Sequence, residues 1–385
     1  MKTHRTMLIA AVLCALPLLL AFSGSATGDS RTKSFTVAKG GTLSVDVEGG
    51  DIKINVWDKN EVSVKADGID EEDADRLKMT QSGNDVSVDY HVRSHWGWGS
   101  NHLRFEITVP SQYNADLHTS GGDIEIRSGL NGTVKGSTSG GDVILGNMSG
   151  GVVDMSTSGG NMRAGDVQGD VTLRTSGGNI DLGNVKGEAT VKTSGGNITA
   201  KSVGKSLHAS TSGGDIEIGD VGGEAKLSTS GGDVRVQKVT GSATMSSSGG
   251  DIELEGASGR VKASTSGGNV SLKNITGTID ASTSGGNVDG ELRPTGQGRS
   301  KLSSAGGEIS LSIPEDAKAT IEATIRIQDR WMRVKDEYKV HSDFKADTYD
   351  THSDEVHAVY TLNGGGDVIE LKTVNSDITI KKLHR

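Results

Sequence analysis

The sequence contains little cysteine and few aromatic residues. Its only cysteine, Cys14, lies inside an apolar run near the N-terminus, so the rest of the chain forms no disulfide. Aromatic residues make up 3% of the chain and are absent from Asn114 to Arg330. The central part therefore has no ring on which a sugar or a base could stack.

The first 27 residues have the pattern of a secretory signal peptide. Lys2 and Arg5 precede an apolar run from Met7 to Phe22, and small residues follow. The apolar run is short for a membrane span, and Leu13 stands where a lipid-attachment signal at Cys14 would need a small residue. We therefore expect export without a lipid anchor and no membrane span in the mature chain. That chain would lack cysteine in an oxidising compartment and would depend on packing alone.

Charge also limits the expected partners. The formal net charge is −10, and removal of Lys2 and Arg5 with the signal peptide would make it about −12. An acidic chain is a poor partner for nucleic acid or anionic lipid, and we expect neither. Glycosylation sequons such as Asn197-Ile-Thr199 arise from the repeat itself and would place glycans in strands, which indicates a bacterial source.

An internal repeat dominates the sequence. The phrase Thr-Ser-Gly-Gly, followed by Asp or Asn and an aliphatic residue, returns almost unchanged between Thr119 and Val288. Successive Gly pairs are 19, 19 and then 18 residues apart; they begin at Gly121, Gly140, Gly159, Gly177, Gly195, Gly213, Gly231, Gly249, Gly267 and Gly285. A fixed period near 20 residues predicts stacked units.

Each unit predicts two short strands and two corners. In the unit that starts at Gly213, apolar Ile216 and Ile218 alternate with polar residues, and a second alternating run extends from Ala225 to Thr229. Turn-forming glycines separate the runs. We therefore predict an all-β fold, a single-chain parallel β-solenoid (β-helix) with coils of about 18 residues and irregular capping ends. Equivalent residues of successive coils would lie about 4.8 Å apart.

The same pattern of short alternating runs and glycine-containing corners extends, less regularly, to both ends of the chain. We predict one solenoid domain over residues 28–385, after the signal peptide at 1–27. Within it, residues 28–117 are diverged N-terminal coils with loop insertions, 118–292 are the regular repeats, and 293–385 are diverged C-terminal coils and a cap. An acidic stretch from Ile69 to Met79 is a candidate short helix.

Outward positions support stacking in register. Glu217, Arg235 and Glu253 share one position in three successive coils and alternate in sign. The residue after each Gly pair is Asp or Asn, and stacked Asn side chains can hydrogen-bond along the axis. The consecutive carboxylates Asp215, Asp233 and Asp251 would repel. They could gather a cation, but a solvated corner is the better interpretation because Asn occupies half of the row.

Three phrases resemble a known family. They are the recurring Ser-Gly-Gly-Asp-Ile, the strand end Ile107-Thr-Val-Pro110, and Ser310-Leu-Ser-Ile-Pro314. They resemble the bacterial "putative adhesin" family of exported β-strand-repeat proteins, over about Ser34 to Leu383. The resemblance implies a single-chain β-helix on an exported protein, and it supplies no catalytic motif.

Two excursions from the repeat carry the candidate chemistry. Trp96 and Trp98, near His91, His95 and His102, are the candidate ligand-binding residues, for stacking on a carbohydrate or touching a metal. The alternative is a loop that caps the solenoid, which we favour because the His spacing matches no standard zinc site.

The second excursion, from His341 to His357, mixes acids and imidazoles. Such groups could form a hydrolytic or metal site, whereas an exposed polar loop gives the same pattern and is the favoured interpretation. Ice binding by the repeated Thr is disfavoured, because Thr193, Thr211 and Thr229 share the inward parity of Ala and Leu.

The sequence thus favours a non-enzymatic exported β-solenoid, a cell-surface or matrix scaffold with the role of an adhesin. We expect no catalytic residue, cofactor or metal, and a surface glycan or protein as partner. One alternative is a polysaccharide-binding or polysaccharide-cleaving β-helix that uses an excursion; another is a periplasmic envelope component. The expected location is extracellular or at the cell surface, or else periplasmic.

Overall fold

Short alternating runs of apolar and polar residues form strands throughout the chain. The structure, a computed structural model, describes residues 30–91, 103–296, 298–328, 338–352 and 354–383. The predicted signal peptide and the loop with Trp96 and Trp98 lie outside the described residues. Among the residues that are described, no helix has the length and apolarity needed to cross a membrane.

The N-terminal part contains seven strands and one 3₁₀ helix, at Glu71–Arg76, within the acidic stretch where a short helix was predicted. The strands are β1 (Arg31–Thr36), β2 (Thr42–Val47), β3 (Asp51–Trp57), β4 (Glu61–Asp67), β5 (Lys78–Ser82), β6 (Asp85–Tyr90) and β7 (Arg104–Pro110).

The repeats supply two strands per coil. They are β8 (Asn114–Thr119), β9 (Ile124–Ile126), β10 (Val134–Ser137), β11 (Val143–Leu145), β12 (Val153–Ser156), β13 (Met162–Ala164), β14 (Val171–Arg174), β15 (Ile180–Val185), β16 (Ala189–Lys192), β17 (Ile198–Val203), β18 (Leu207–Ser210), β19 (Ile216–Val221), β20 (Ala225–Ser228), β21 (Val234–Val239), β22 (Ala243–Ser246), β23 (Ile252–Leu254), β24 (Arg260–Ser264), β25 (Val270–Thr276), β26 (Thr278–Thr283), β27 (Val288–Arg293), β28 (Arg299–Ser304) and β29 (Ile309–Ile313).

The C-terminal part adds six strands. They are β30 (Ala319–Arg326), β31 (Val340–Ser342), β32 (Thr348–Thr351), β33 (Glu355–Leu362), β34 (Asp367–Val374) and β35 (Ile378–Lys382). The segment from His341 to His357, interpreted from sequence as an exposed polar loop, therefore contains strand β32 and parts of β31 and β33.

Two long parallel sheets form the solenoid body. Odd-numbered strands from β9 to β29 stack in sheet 1, and even-numbered strands from β8 to β28 stack in sheet 2. Ile216 pairs with Val234, and Val234 with Ile252, and all three side chains are fully buried. The predicted all-β solenoid with residues stacked in register is confirmed.

The repeated Thr has a buried hydroxyl that forms hydrogen bonds with the backbone of the Gly-Gly corners. Thr211 is buried, and its hydroxyl donates to the carbonyl of Gly196 in the preceding coil at 2.9 Å. The same hydroxyl accepts the N–H of Gly214 at 3.3 Å. Thr193 and Thr229 make equivalent bonds. The inward parity predicted for these residues is confirmed, and the hydroxyl satisfies backbone groups that the corner would leave unpaired.

At both ends the order of strands in space differs from the order in the chain. Strand β2 pairs with β6 on one side and β8 on the other, and β3 lies between β7 and β9. At the other end, β34 lies between β28 and β30, and β35 between β29 and β31. The first coil, β2–β3, thus lies between β8–β9 and β6–β7. The last coil, β34–β35, lies between β28–β29 and β30–β31.

Antiparallel strands finish the stack, which the expectation of diverged parallel coils did not include. In sheet 1, β4 is antiparallel to β7 and β1 to β4; in sheet 2, β5 is antiparallel to β6. At the C-terminal end, β33 is antiparallel to β30 and β32 to β33. The consecutive strands β5–β6 and β32–β33 need only a short connection, so they extend sheet 2 at each end without another full coil.

Candidate functional site

A groove of about 1090 Å³ follows the outer face of sheet 1 across successive coils, from Leu145 to Glu255. It forms where the alternation of buried and exposed residues breaks in the middle of the longer sheet 1 strands β15, β17, β19 and β21. In β19, Ile218 is buried, and Val221 is the next buried residue. Between them, Gly219 has no register partner in the neighbouring strands β17 and β21. A side chain at Gly219 would collide with the carbonyl oxygen of Lys201, so the backbone of the groove stays uncovered at this position.

Charged side chains along the groove pair with carboxylates of the same coil or of the adjacent coil. Arg235 contacts Asp233 at 2.6 Å and Glu253 at 3.7 Å, and Arg163 lies 3.4 Å from Asp181. Burial by itself would lower the pKa of Arg235, but the hydrogen bond that Arg235 donates to Asp233 and the nearby carboxylates raise it. The alternating charges predicted at Glu217, Arg235 and Glu253 are therefore stacked neighbours, and the groove balances much of its charge internally.

A polar row that the sequence reading missed borders this groove. The Asp166 carboxylate accepts the backbone N–H and the side-chain amide of Asn184, each at 2.9 Å, and these bonds lower the pKa of Asp166. Asn147 in turn accepts the N–H of Asp166 at 2.8 Å. The recurring Gly-Asn and Gly-Asp pairs, such as Gly183-Asn184, are the sequence signal for this row.

The row that contains Asp215, Asp233 and Asp251 is a hydrogen-bonded ladder. Oδ1 of Asp215 accepts the backbone N–H of Asp233, and Oδ1 of Asp233 accepts that of Asp251, both at 2.8 Å. The expected axial hydrogen bonds thus run mainly from backbone N–H groups to side-chain oxygens, and each carboxylate is next to a donor as well as another carboxylate. The structure gives these three residues a structural role, and their part in a cation site stays a disfavoured prediction.

No cluster of three or more metal-binding side chains occurs within the part of the chain that the structure describes. The acids of the C-terminal excursion instead hold its strands together. Asp343 accepts a backbone N–H at 2.9 Å, Asp347 accepts another at 2.7 Å, and Nε2 of His341 lies 3.4 Å from Asp377. Their separate partners do not bring them to one hydrolytic centre.

The predicted ligand-binding residues Trp96 and Trp98 lie outside the described residues, as do His95 and His102. Of that group the structure places His91, which follows β6. Its Nε2 lies 3.6 Å from a carboxylate oxygen of Asp46, and both side chains are exposed. The roles of the two tryptophans stay a prediction.

Three solved structures are similar to this chain at low identity. A "putative adhesin" from Bacteroides fragilis is 16% identical with a TM-score of 0.31, and the match covers 66% of this chain and 97% of that one. A "putative adhesin" from Parabacteroides distasonis is 18% identical with a TM-score of 0.34, covering 65% and 97%. A "putative lipid binding protein" from the same species is 14% identical with a TM-score of 0.21, covering 93% and 98%.

Similarity at these TM-scores is too weak to transfer a ligand or an activity to this chain. A search of curated proteins finds no match. A family model, however, matches twice, at residues 41–221 and 202–381, and these overlapping matches include both ends as well as the repeats. The match confirms the β-repeat family resemblance expected from the repeated phrase. The chain belongs to the Toastrack DUF4097 family.

Proposed function

We propose that this chain is an exported, non-enzymatic scaffold that acts at the cell surface or in the surrounding matrix as an adhesin. The observation that supports this role is the in-register stacking of the repeats, which places exposed side chains in straight rows along two long sheets. Such rows suit contact with an extended partner, because each coil offers the same position about 4.8 Å further along.

The groove of sheet 1 favours a binding scaffold over an enzyme. Its charged groups form pairs along the axis, such as Arg163 with Asp181 and Arg235 with Glu253. General acid–base catalysis calls for groups held ready for proton exchange with a substrate, whereas ion-paired surface groups keep their usual charge.

Location and attachment test this proposal together. Protease added to intact cells is expected to cleave the protein, and cells without its gene are expected to attach less well to a glycan-coated surface. Protection from protease until the envelope is opened would favour the periplasmic alternative. Attachment equal to that of the parent strain on every surface tried would contradict the adhesive role.

We also propose Trp96 and Trp98 as carbohydrate-binding residues, since the central repeats contain no aromatic side chain. A glycan array probed with the full chain and with a Trp96→Ala/Trp98→Ala variant tests this. Loss of binding with an unchanged circular dichroism spectrum is expected. Unchanged binding would leave capping as their role.

A further inference from the structure

The outer face of sheet 2 differs in charge from the rest of this acidic protein. From β14 to β24, each even-numbered strand exposes two side chains between buried neighbours, and β24 exposes a third, Arg260, at its start. The charged or titratable residues among them are Arg174, Lys192, His208, Lys226, Arg260 and Lys262, and the others are Ser or Thr. We call this set of outward side chains the basic face, and it contains no Asp or Glu.

The lysines in the middle of the basic face, Lys192 and Lys226, have no acidic neighbour in the register. Within the described residues, no carboxylate lies at ion-pair distance from either of them. At the two ends, Arg174 contacts Asp154 at 3.1 Å and Arg260 contacts Asp280 at 3.8 Å, and Asp280 is also the register neighbour of Lys262. His208 lies directly beside Lys226 in the register. Burial, and then the positive charges of Lys192 and Lys226, lower the pKa of His208.

Hydroxyl groups occupy the positions between these cations. Ser210, Ser228, Ser246 and Ser264 stack in successive coils of the basic face, and Lys192 continues the same row in the preceding coil. The Ser246 hydroxyl donates to that of Ser228 at 3.1 Å, and each side chain is half-buried, so these oxygens are held in a row. Hydroxyls both donate and accept, and thus suit a ligand that carries hydroxyls as well as negative charge.

The acids of sheet 1 do not prevent an anion from approaching this face. Sheets packed face to face are about 10 Å apart, and at physiological ionic strength charges are screened over about 8 Å. Glu188 and Glu224 lie nearer, at the corner before the strands, and define one border of the basic face. A ligand along the middle of sheet 2 therefore meets mainly lysines and hydroxyls.

We propose that the basic face binds a linear anionic polysaccharide whose sugars carry carboxylates, laid along the axis of the solenoid. The lysines would pair with carboxylates, and the Ser and Thr hydroxyls would bond to sugar hydroxyls. Six coils give a stripe about 24 Å long, enough for several sugars. This ligand class deepens the proposed adhesive function and rests on it.

Two other polyanions fit the face less well. Fewer than one Lys or Arg per coil is a low charge density for nucleic acid, and the repeats have no aromatic side chain for base stacking. A membrane surface is usually engaged with apolar side chains as well, and the exposed large hydrophobic residues of the described chain, Ile144, Val152 and Tyr349, lie elsewhere.

Binding of the full chain to alginate, a polymer of uronic acids, tests the proposal. A Lys192→Gln/Lys226→Gln/Lys262→Gln variant should bind alginate at least tenfold more weakly than the unchanged protein. The matched control is Lys39→Gln/Lys238→Gln/Lys345→Gln, which removes the same charge from exposed lysines outside both the basic face and the sheet 1 groove. It should bind within twofold of the unchanged protein, and replacing the three basic-face lysines with Arg should preserve binding.

Several outcomes would overturn the proposal: no binding of the unchanged protein to alginate, an equal loss in the control variant, or equally tight binding to single-stranded DNA or to phosphatidylglycerol vesicles. Neutral dextran should not bind. All variants should keep the circular dichroism spectrum of the parent. Because purified protein is used, failure here is distinct from failure of the attachment test, which concerns whole cells.

Discussion

At the scale of single residues, the repeated phrase solves a hydrogen-bonding problem. A corner built from Thr-Ser-Gly-Gly exposes backbone groups that no strand can pair, and the buried Thr and the outward Asp or Asn satisfy them from opposite sides. Thr211 bonds to Gly196 and Gly214, while Asn197 accepts the N–H of Asp215 at 2.9 Å. The Thr and the Asp or Asn of the repeated phrase thus each bond to backbone groups in the neighbouring coil or in their own corner.

Removing one buried hydroxyl should therefore destabilise the solenoid. Thr211→Val keeps the shape of the side chain but leaves the Gly196 carbonyl and the Gly214 N–H without their partner, at a cost of about 1–3 kcal/mol in unfolding free energy. Thr211→Ser keeps the hydroxyl, as Ser247 does naturally at the equivalent position, and loses about 0.8 kcal/mol for one methyl group. Denaturant unfolding measures both, and a Val variant as stable as the Ser variant would contradict this role.

His208 should titrate below its ordinary pKa of 6.5, because burial and the charges of Lys192 and Lys226 favour the neutral ring. A histidine with a lowered pKa binds protons less readily when folded than when unfolded. Its contribution to stability is therefore complete above pH 6.5 and is lost as the pH falls through the folded-state pKa. NMR titration of the ring measures this pKa, which should rise in Lys192→Gln/Lys226→Gln; no change there would show that the two lysines do not act on it.

At the scale of the coil, glycine marks the points where successive corners touch. The second Gly of each pair lies against the carbonyl of the equivalent Gly in the neighbouring coil, whereas the first has more room. The pairs at Gly121 and Gly122 show the contrast most clearly, since nothing lies within 4 Å of a side chain built on Gly121, and one built on Gly122 would collide with Gly50. Glycine is required at position 122 because the backbone of Gly50 lies too close for a side chain.

The two neighbouring alanine substitutions should consequently differ. Gly122→Ala forces the corner away from Gly50 in the first coil and should cost about 1–3 kcal/mol, as overpacking does. Gly121→Ala points into open space and should change stability by no more than about 0.5 kcal/mol. Thermal unfolding followed by circular dichroism compares the two, and equal effects would mean that the contact with Gly50 is not tight.

At the scale of the whole molecule, stability is shared among coils and the ends are closed by non-local pairing. A coil buries small side chains and gains its remaining hydrogen bonds from its neighbours, so adjacent coils depend on one another. The first and last coils have a neighbour on the outer side because β6–β7 and β30–β31 return to cover them. Among the described strands, the edges at the ends are β1 and β5 on one side and β31 and β32 on the other, with six, five, three and four residues.

Deletion of one complete coil should leave the fold intact. Removing residues 213–230 joins Ser212 to Gly231 and brings Ile198 next to Val234, both of which are buried at the same position. The shortened protein should unfold cooperatively, and X-ray scattering should show a molecule about 5 Å shorter.

The control for this deletion removes residues 213–221, half of a coil, and puts sheet 2 residues where sheet 1 residues belong. Loss of register exposes apolar side chains, so this variant should aggregate or lack a cooperative transition. A folded half-coil variant, or an unfolded whole-coil variant, would contradict stacking by equivalent coils.

The sequence by itself determined the central body of this protein. Its period, the alternation around Ile216 and Leu227, and the parity of Thr211 follow from rules that act within one coil and between identical neighbours, and all appear in the structure. The tertiary structure decided the rest: the groove, the acceptors of the Asp and Asn rows, and the strand order at both ends. The groove and the acceptors depend on atomic contacts between adjacent coils, such as Gly219 with Lys201, which the period and the alternation do not specify. The strand order at the ends depends on contacts between segments that differ in sequence and are far apart along the chain, such as β28 with β34, for which no repeated pattern gives a signal.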